Sequence, residues 1–300
     1  MDQLNRKQLR WLVPAAGMAF LFQACSTDNN DLSTSLALEE TVVESPYQID
    51  DETGVVSLRT DCDGVDTHWA YEGPEGPDLW GGLCSGWACD GRRQSPVNII
   101  PPPTRSLSRS LRFYWKNTGT NIVNNGHTIQ YNIDQPTDPN SKSYISLNGQ
   151  RYNLLQFHFH AKSEHTVRGE HYPAEIHFVH QNPDNGKLAV IGVFVEEGDE
   201  NPFFENLANT WPDTVGSHAD DSVVFHPDEL MPADYNNYYK AHFWYYDGSL
   251  TTPPCSEIVN WFVWSSNIQA SHEQLEAMEH LLQENYRPVQ VLNARLVKAQ

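Results

Sequence analysis

Residues Gln156 to His180 read QFHFHAKSEHTVRGEHYPAEIHFVH and hold six of the chain's thirteen histidines. His158 and His160 lie two apart, flanked by Phe157 and Phe159. Side chains alternate across a β-strand, so this spacing sends both imidazoles to one face and both phenyl rings to the other. The run from Ala174 to His180 alternates likewise, with Glu175, His177 and Val179 on one face and Ile176, Phe178 and His180 on the other. Gly169 and Pro173 stand between the runs, and an antiparallel hairpin is the economical way to join them. Folding it brings His177 beside the His158/His160 pair. Three neutral imidazoles with no fourth protein ligand nearby is the arrangement of a catalytic zinc site, which keeps one position for water. Without a metal, three imidazoles on one buried face would leave several polar nitrogens to satisfy.

The letters HFHAKSE also fit the H-x-H-x₃-E pattern of cupins, another all-β metal family, so the stretch alone leaves two readings open. The chain has 300 residues, 39% of them apolar and 19% charged, which suits a globular body with a real core and argues against disorder throughout. Its net charge of −20 makes nucleic acid a poor partner, since phosphates would be repelled.

At the N-terminus, Arg6, Lys7 and Arg10 precede an apolar run from Trp11 to Ala24, too short and interrupted for a transmembrane helix. Residues 1–24 read as a secretory signal peptide. The run ends at Cys25, and the junction is similar to a bacterial lipoprotein signal, in which that cysteine is lipidated. Residues 25–60 read as an acidic, Asn- and Ser-rich tether, and residues 61–300 as the globular domain. The expectation is an exported protein, lipid-anchored at a bacterial membrane facing the periplasm or cell surface, or else free in the periplasm or medium. With Cys25 set aside, Cys62, Cys84, Cys89 and Cys255 allow up to two disulfides in three connectivities.

Strand-like runs recur over 111–115, 121–123, 128–133, 144–147, 154–160, 175–179, 188–195 and 257–264. Asn125-Gly126, Asn148-Gly149, Asn185-Gly186 and Asp247-Gly248 read as turns between them. Ser271 followed by Gln274 resembles a capping box opening a helix to about Gln283. One mainly β domain with few helices follows.

Reading outward from the histidines, residues 67–296 resemble an α-class carbonic anhydrase of bacterial type. HWAY at His68–Tyr71, QSPVNI at Gln94–Ile99, NNGH at Asn124–His127 and QFHFH at Gln156–His160 carry the likeness. SEHTV at Ser163–Val167, AEIH at Ala174–His177, LAVIG at Leu188–Gly192, SLTTPP at Ser249–Pro254 and YRPVQ at Tyr286–Gln290 complete it in family order. Cupins lack the QSP, LTTPP and RPVQ elements. The resemblance implies a central, largely antiparallel twisted sheet of about ten strands. It also implies reversible hydration of carbon dioxide to bicarbonate and a proton by zinc-bound hydroxide. A catalytically inactive surface-binding relative is the alternative of another class, and such relatives usually lack one of the zinc histidines.

Carried over residue by residue, the resemblance makes His158, His160 and His177 the zinc ligands and Gln156 and Glu175 their hydrogen-bond partners. Thr251 and Glu164 become the pair that orients the hydroxide, and Thr252 a contact to bicarbonate. Val179, Val190, Leu250 and Trp261 become the apolar wall where carbon dioxide rests. His127 matches the proton shuttle, and Tyr71, Asn125 and Gln130 the positions that order cleft water. Gln130 stands where many relatives have Asn. The spacing of secreted relatives implies a Cys89–Cys255 disulfide, leaving Cys62–Cys84 as the second pair. The oligomeric state is not legible.

Overall fold

The computed structural model of the chain describes residues 44–50, 55–62, 64–101, 109–205, 211–217, 223–236 and 242–300. The signal segment, Cys25 and the first part of the acidic tether lie outside the described residues. Among the described residues, twelve strands form one mixed sheet. Numbered along the chain, the first six are β1 (Leu111–Tyr114), β2 (Thr118–Asn124), β3 (Ile129–Ile133), β4 (Tyr144–Leu147), β5 (Gln150–His160) and β6 (Ala174–Gln181). The others are β7 (Leu188–Glu197), β8 (Val223–Phe225), β9 (Phe243–Gly248), β10 (Val259–Trp264), β11 (Ile268–Ala270) and β12 (Lys298–Ala299).

The order across the sheet is β8-β2-β3-β5-β6-β7-β10-β9-β12, with β11 beside β7, β4 beside β5 and β1 beside β4. Neighbours run antiparallel except where β7 meets β10 and β11. The central strands β6 and β7 are buried almost end to end, which explains why LAVIGVFV shows no polar alternation. One face packs Phe157, Phe159, Ile176, Phe178 and Ile191 into the larger core. The opposite face holds Leu155, Val179, Val190, Leu250 and Trp261 in a second buried cluster.

Two α-helices are described, α1 (Trp80–Leu83) and α2 (His272–Leu282). The capping box at α2 is present in both directions: Ser271 accepts from the Gln274 amide, and Gln274 accepts from the Ser271 amide. Cys62 is bonded to Cys84 and Cys89 to Cys255, and all four lie in or against a small cluster with Trp69, Trp80 and Trp87.

Two expectations change. Asp247-Gly248 is not a turn: both residues end β9, opposite Asn260 and Val259. The glycine answers to packing, because a Cβ at Gly248 would lie 2.2 Å from Ser95 Oγ. The tether also ends earlier than residue 60. Tyr47–Ile49 pairs antiparallel with Val56–Leu58, and the side chains of Tyr47 and Val56 are buried. Burying one aromatic and one aliphatic side chain supplies the folding drive that the surrounding Asp, Glu and Ser lack. Among the described residues the folded body therefore already includes this hairpin.

Candidate metal centre

Strands β5 and β6 set His158 directly opposite His177 and His160 opposite Glu175. They are joined through residues 161–173, which fold back as the short paired strands Thr166–Val167 and Glu170–His171. The three imidazole centroids lie 4.6 to 5.3 Å apart. One ring nitrogen of each histidine lies within 4.8 Å of the other two.

The remaining nitrogen of every ring is held. His158 Nδ1 donates to Gln156 Oε1 at 2.8 Å, and His177 Nε2 donates to Glu175 Oε1 at 3.0 Å. His160 Nδ1 donates to the Asn285 carbonyl at 2.6 Å. A carboxylate or carbonyl oxygen can only accept here, so each ring is fixed as the tautomer whose free lone pair faces the common centre. Burial pushes His158 well below the ordinary histidine range, and charge on His160 and His177 would push it further. Burial likewise lowers His160, against the pull of Glu164. Neutral imidazoles are the form that binds a metal.

Burial alone would raise the Glu175 pKa, yet His165 and His177 beside it hold the carboxyl well below its usual range. Its Oε2 accepts the backbone amides of Glu164 and His165, both at 2.9 Å. His165 extends the chain of contacts, with Nδ1 at 2.8 Å from Glu175 Oε1 and Nε2 at 2.6 Å from the Tyr246 hydroxyl. Tyr246 in turn donates to Ser95 Oγ at 3.0 Å. Gly192 sits opposite His177, and a Cβ there would come within 2.8 Å of Glu175 Oε1. Sequence reasoning missed Asn285, His165, Tyr246 and Gly192 as site residues. The motifs SEHTV and LAVIG contained two of them, but a backbone carbonyl such as that of Asn285 leaves no mark in a sequence.

Glu164 is fully buried, and its Oε1 accepts the Arg287 amide at 2.9 Å. Its Oε2 has no hydrogen-bond partner among the described residues and lies 3.5 Å from His160 Nε2 and 3.8 Å from His177 Nδ1. Thr251 is buried and Thr252 half-buried, on the loop between β9 and β10 that Cys255 bonds to Cys89. Val179, Val190, Leu250 and Trp261 share one buried cluster, and the Trp261 ring stands 4.8 Å from that of His177.

His127 lies apart from the histidine triad. Its ring stacks on Trp69 at 3.6 Å, and the Tyr71 ring stands edge-on at 6.4 Å. Burial first, and then nearby His68, push its pKa down to about 4, below the neutral range expected of it. Asn125 is exposed; its Oδ1 closes the turn by accepting the His127 and Thr128 amides. Gln130 is buried, and its Nε2 donates to the Val56 carbonyl and to Asn132 Oδ1, both at 2.6 Å. Cys25 lies outside the described residues.

The donor set fits zinc. His160 Nε2 is a buried nitrogen without a hydrogen-bond partner among the described residues, aimed at the other two histidines, and a metal ion would satisfy it. Fold and site together define a single-domain β protein with a three-histidine cluster able to hold a metal ion. The family model of the eukaryotic-type carbonic anhydrases matches residues 75–300. A carbonic anhydrase of Nostoc sp. is 37% identical over 237 residues, covering 77% of this chain and 85% of that protein. One from Klebsiella pneumoniae is 38% identical over 234 residues, covering 77% and 90%. The α-carbonic anhydrase of Thermovibrio ammonificans, solved with the inhibitor sulfanilamide, superposes with a TM-score of 0.69 at 39% identity. It spans 77% of this chain and 99% of that one. The chain belongs to the eukaryotic-type carbonic anhydrase family, which closes the cupin alternative.

Proposed function

We propose that the chain uses zinc to interconvert carbon dioxide and bicarbonate. The observation that carries this reading is the set of three imidazoles, each locked by its outer hydrogen bond with its other ring nitrogen within 4.8 Å of the other two. Zinc, when bound, lowers the pKa of water from ~15.7 to about 7 and so supplies a nucleophile at neutral pH, an effect for which carbonic anhydrase is itself the reference case. Val179, Val190, Leu250 and Trp261 offer carbon dioxide an apolar surface, which an uncharged substrate needs.

In this reading the Thr251 hydroxyl donates a hydrogen bond to Glu164 Oε2, which has no hydrogen-bond partner among the described residues. An ionised carboxylate only accepts, so Thr251 keeps its lone pair turned toward the nucleophile and orients it. Thr252 contacts the bicarbonate product. His127 carries the released proton outward. Stacked on Trp69 with a pKa near 4 it gives protons up readily and takes them poorly, so shuttling requires the ring to leave that stack. Export and lipidation at Cys25 complete the reading; intact-mass analysis finding an unacylated mature N-terminus elsewhere would remove the anchor.

Metal analysis paired with stopped-flow hydration of carbon dioxide tests the reaction. One zinc per chain with zinc-dependent bicarbonate formation is expected. A fully zinc-loaded chain that leaves the uncatalysed rate unchanged would refute it.

A further inference from the structure

The hairpin of Tyr47–Ile49 and Val56–Leu58 precedes the region the family model matches, which begins at residue 75. Its seat is the cleft face of β3 and β5. Across these strands Gln130 stands opposite His158 and Asn132 opposite Gln156. Those neighbours of the metal ligand hold the hairpin's backbone: Val56 donates to Asn132 Oδ1 at 2.8 Å and accepts from Gln130 Nε2 at 2.6 Å. The Tyr47 hydroxyl is near enough to the side chain of Gln156, whose oxygen holds His158, for that side chain to oppose part of the rise that burial causes in the Tyr47 pKa. Tyr47 and Val56 are 6% and 1% exposed, in the same buried cluster as Leu155, Val179, Val190, Leu250 and Trp261.

We propose that this hairpin is an autoinhibitory strap, seated across the mouth of the metal cleft and lifting to admit substrate. The proposal rests on the reading of this face as the metal cleft. Its attachments suit a reversible element. To the body it adds one side-chain bond, Ser45 Oγ accepting from Gln181 Nε2 at 2.6 Å, whereas the Arg59 amide to the Pro46 carbonyl at 2.8 Å and the exposed Arg59–Glu44 pair join its two arms to each other and move with it. Beyond Arg59, the Cys62–Cys84 disulfide joins the strap's C-terminal end covalently to the body. That link keeps the released hairpin at high local concentration, so a few hydrogen bonds and two buried side chains suffice to reseat it. While seated, the strap reduces apparent activity by the fraction of chains that are open.

The test uses the full-length, zinc-loaded chain and its Val56→Asp variant, because an unpaired carboxylate in that buried seat opposes closure. Hydrogen exchange should show the Val56 amide protected in the parent and exposed in the variant, with β5 and β6 protected in both. The association rate of sulfanilamide, used as a cleft probe, and kcat/KM for carbon dioxide should each rise by about tenfold or more. Tyr47→Ala should move both in the same direction by less, and serves as the test should Val56→Asp lose its zinc or its near-ultraviolet circular dichroism. Exposure of the Val56 amide without faster sulfanilamide association would overturn the strap, as would a parent whose Val56 amide already exchanges freely. Faster sulfanilamide association in chains that never turn over carbon dioxide would uphold the strap and sink the catalytic reading instead.

Discussion

Along β5 and β6 the two faces of one pair of strands do opposite work. Phe157, Phe159, Ile176 and Phe178 pack with other apolar side chains on one face, where contact is non-directional and volume is what matters. On the other face Gln156, His158, His160, Glu175 and His177 each meet a named partner atom at hydrogen-bond distance. The first face tolerates exchange of one apolar shape for another of similar size. The second tolerates little, because a lost partner leaves a buried polar atom unsatisfied or turns a ring to the wrong tautomer. The apolar face supplies the rigidity that lets three nitrogens wait at one point for an ion.

Substitutions one residue apart can break that contrast. His177→Ala removes a ligand, and zinc affinity should fall by well over the ~100-fold that losing a mere supporting partner costs. Equilibrium dialysis against a chelator of known affinity measures it, and unchanged stoichiometric zinc would take His177 out of the site. Phe178→Ala, on the opposite face, should cost about 3–5 kcal/mol of stability while the folded protein keeps one zinc. Denaturant unfolding read beside metal content checks both halves; loss of zinc at full foldedness would mean that the faces are not separable.

Within the polar face, Thr251→Ala should keep zinc and fold while losing one charge-assisted hydrogen bond, about 1.5–3 kcal/mol or roughly 10- to 150-fold in kcat/KM. Unaltered kinetics across pH would end the pairing with Glu164. An effect read as a pH slope rather than a loss of function belongs to His180, on the apolar face. Burial pushes its pKa to about 3, with Trp115 Nε1 donating to its Nε2 at 3.2 Å. Its folded pKa lies below the unfolded value of about 6.5, so between the two only the unfolded chain takes up the proton. Stability should therefore fall as pH drops from about 6.5 toward 3. His180→Gln should flatten that slope by about 1.4 kcal/mol per pH unit in urea titrations. An equally steep slope in the variant would assign the titration elsewhere.

The contrast between faces was legible because the strand period is two: His158, His160 and His177 alternate with Phe157, Phe159 and Phe178 in the letters themselves. The strand runs and the α2 cap carried the fold class for the same reason, since each signal is local. Partners distant in sequence were not legible. Nothing in Leu188–Gly192 announces parallel pairing with Val259–Val263, and nothing in Ser45–Leu58 separates a strap from a tether. Two buried side chains among acidic and polar ones look solvated until the surface that receives them is known. Asp247-Gly248 misled because glycine permits both a turn and a close approach, and only Ser95, brought in from far along the chain, shows which.

The most direct test of the account is the exchange of ¹⁸O between labelled carbon dioxide and water at chemical equilibrium, followed by mass spectrometry as zinc is titrated into the metal-stripped chain. It reads interconversion with bicarbonate without relying on buffer to remove protons. Label loss should accelerate linearly to one zinc per chain and then stop rising, and His177→Ala should show no such rise. Exchange that is independent of zinc, or absent at one full equivalent, would contradict it.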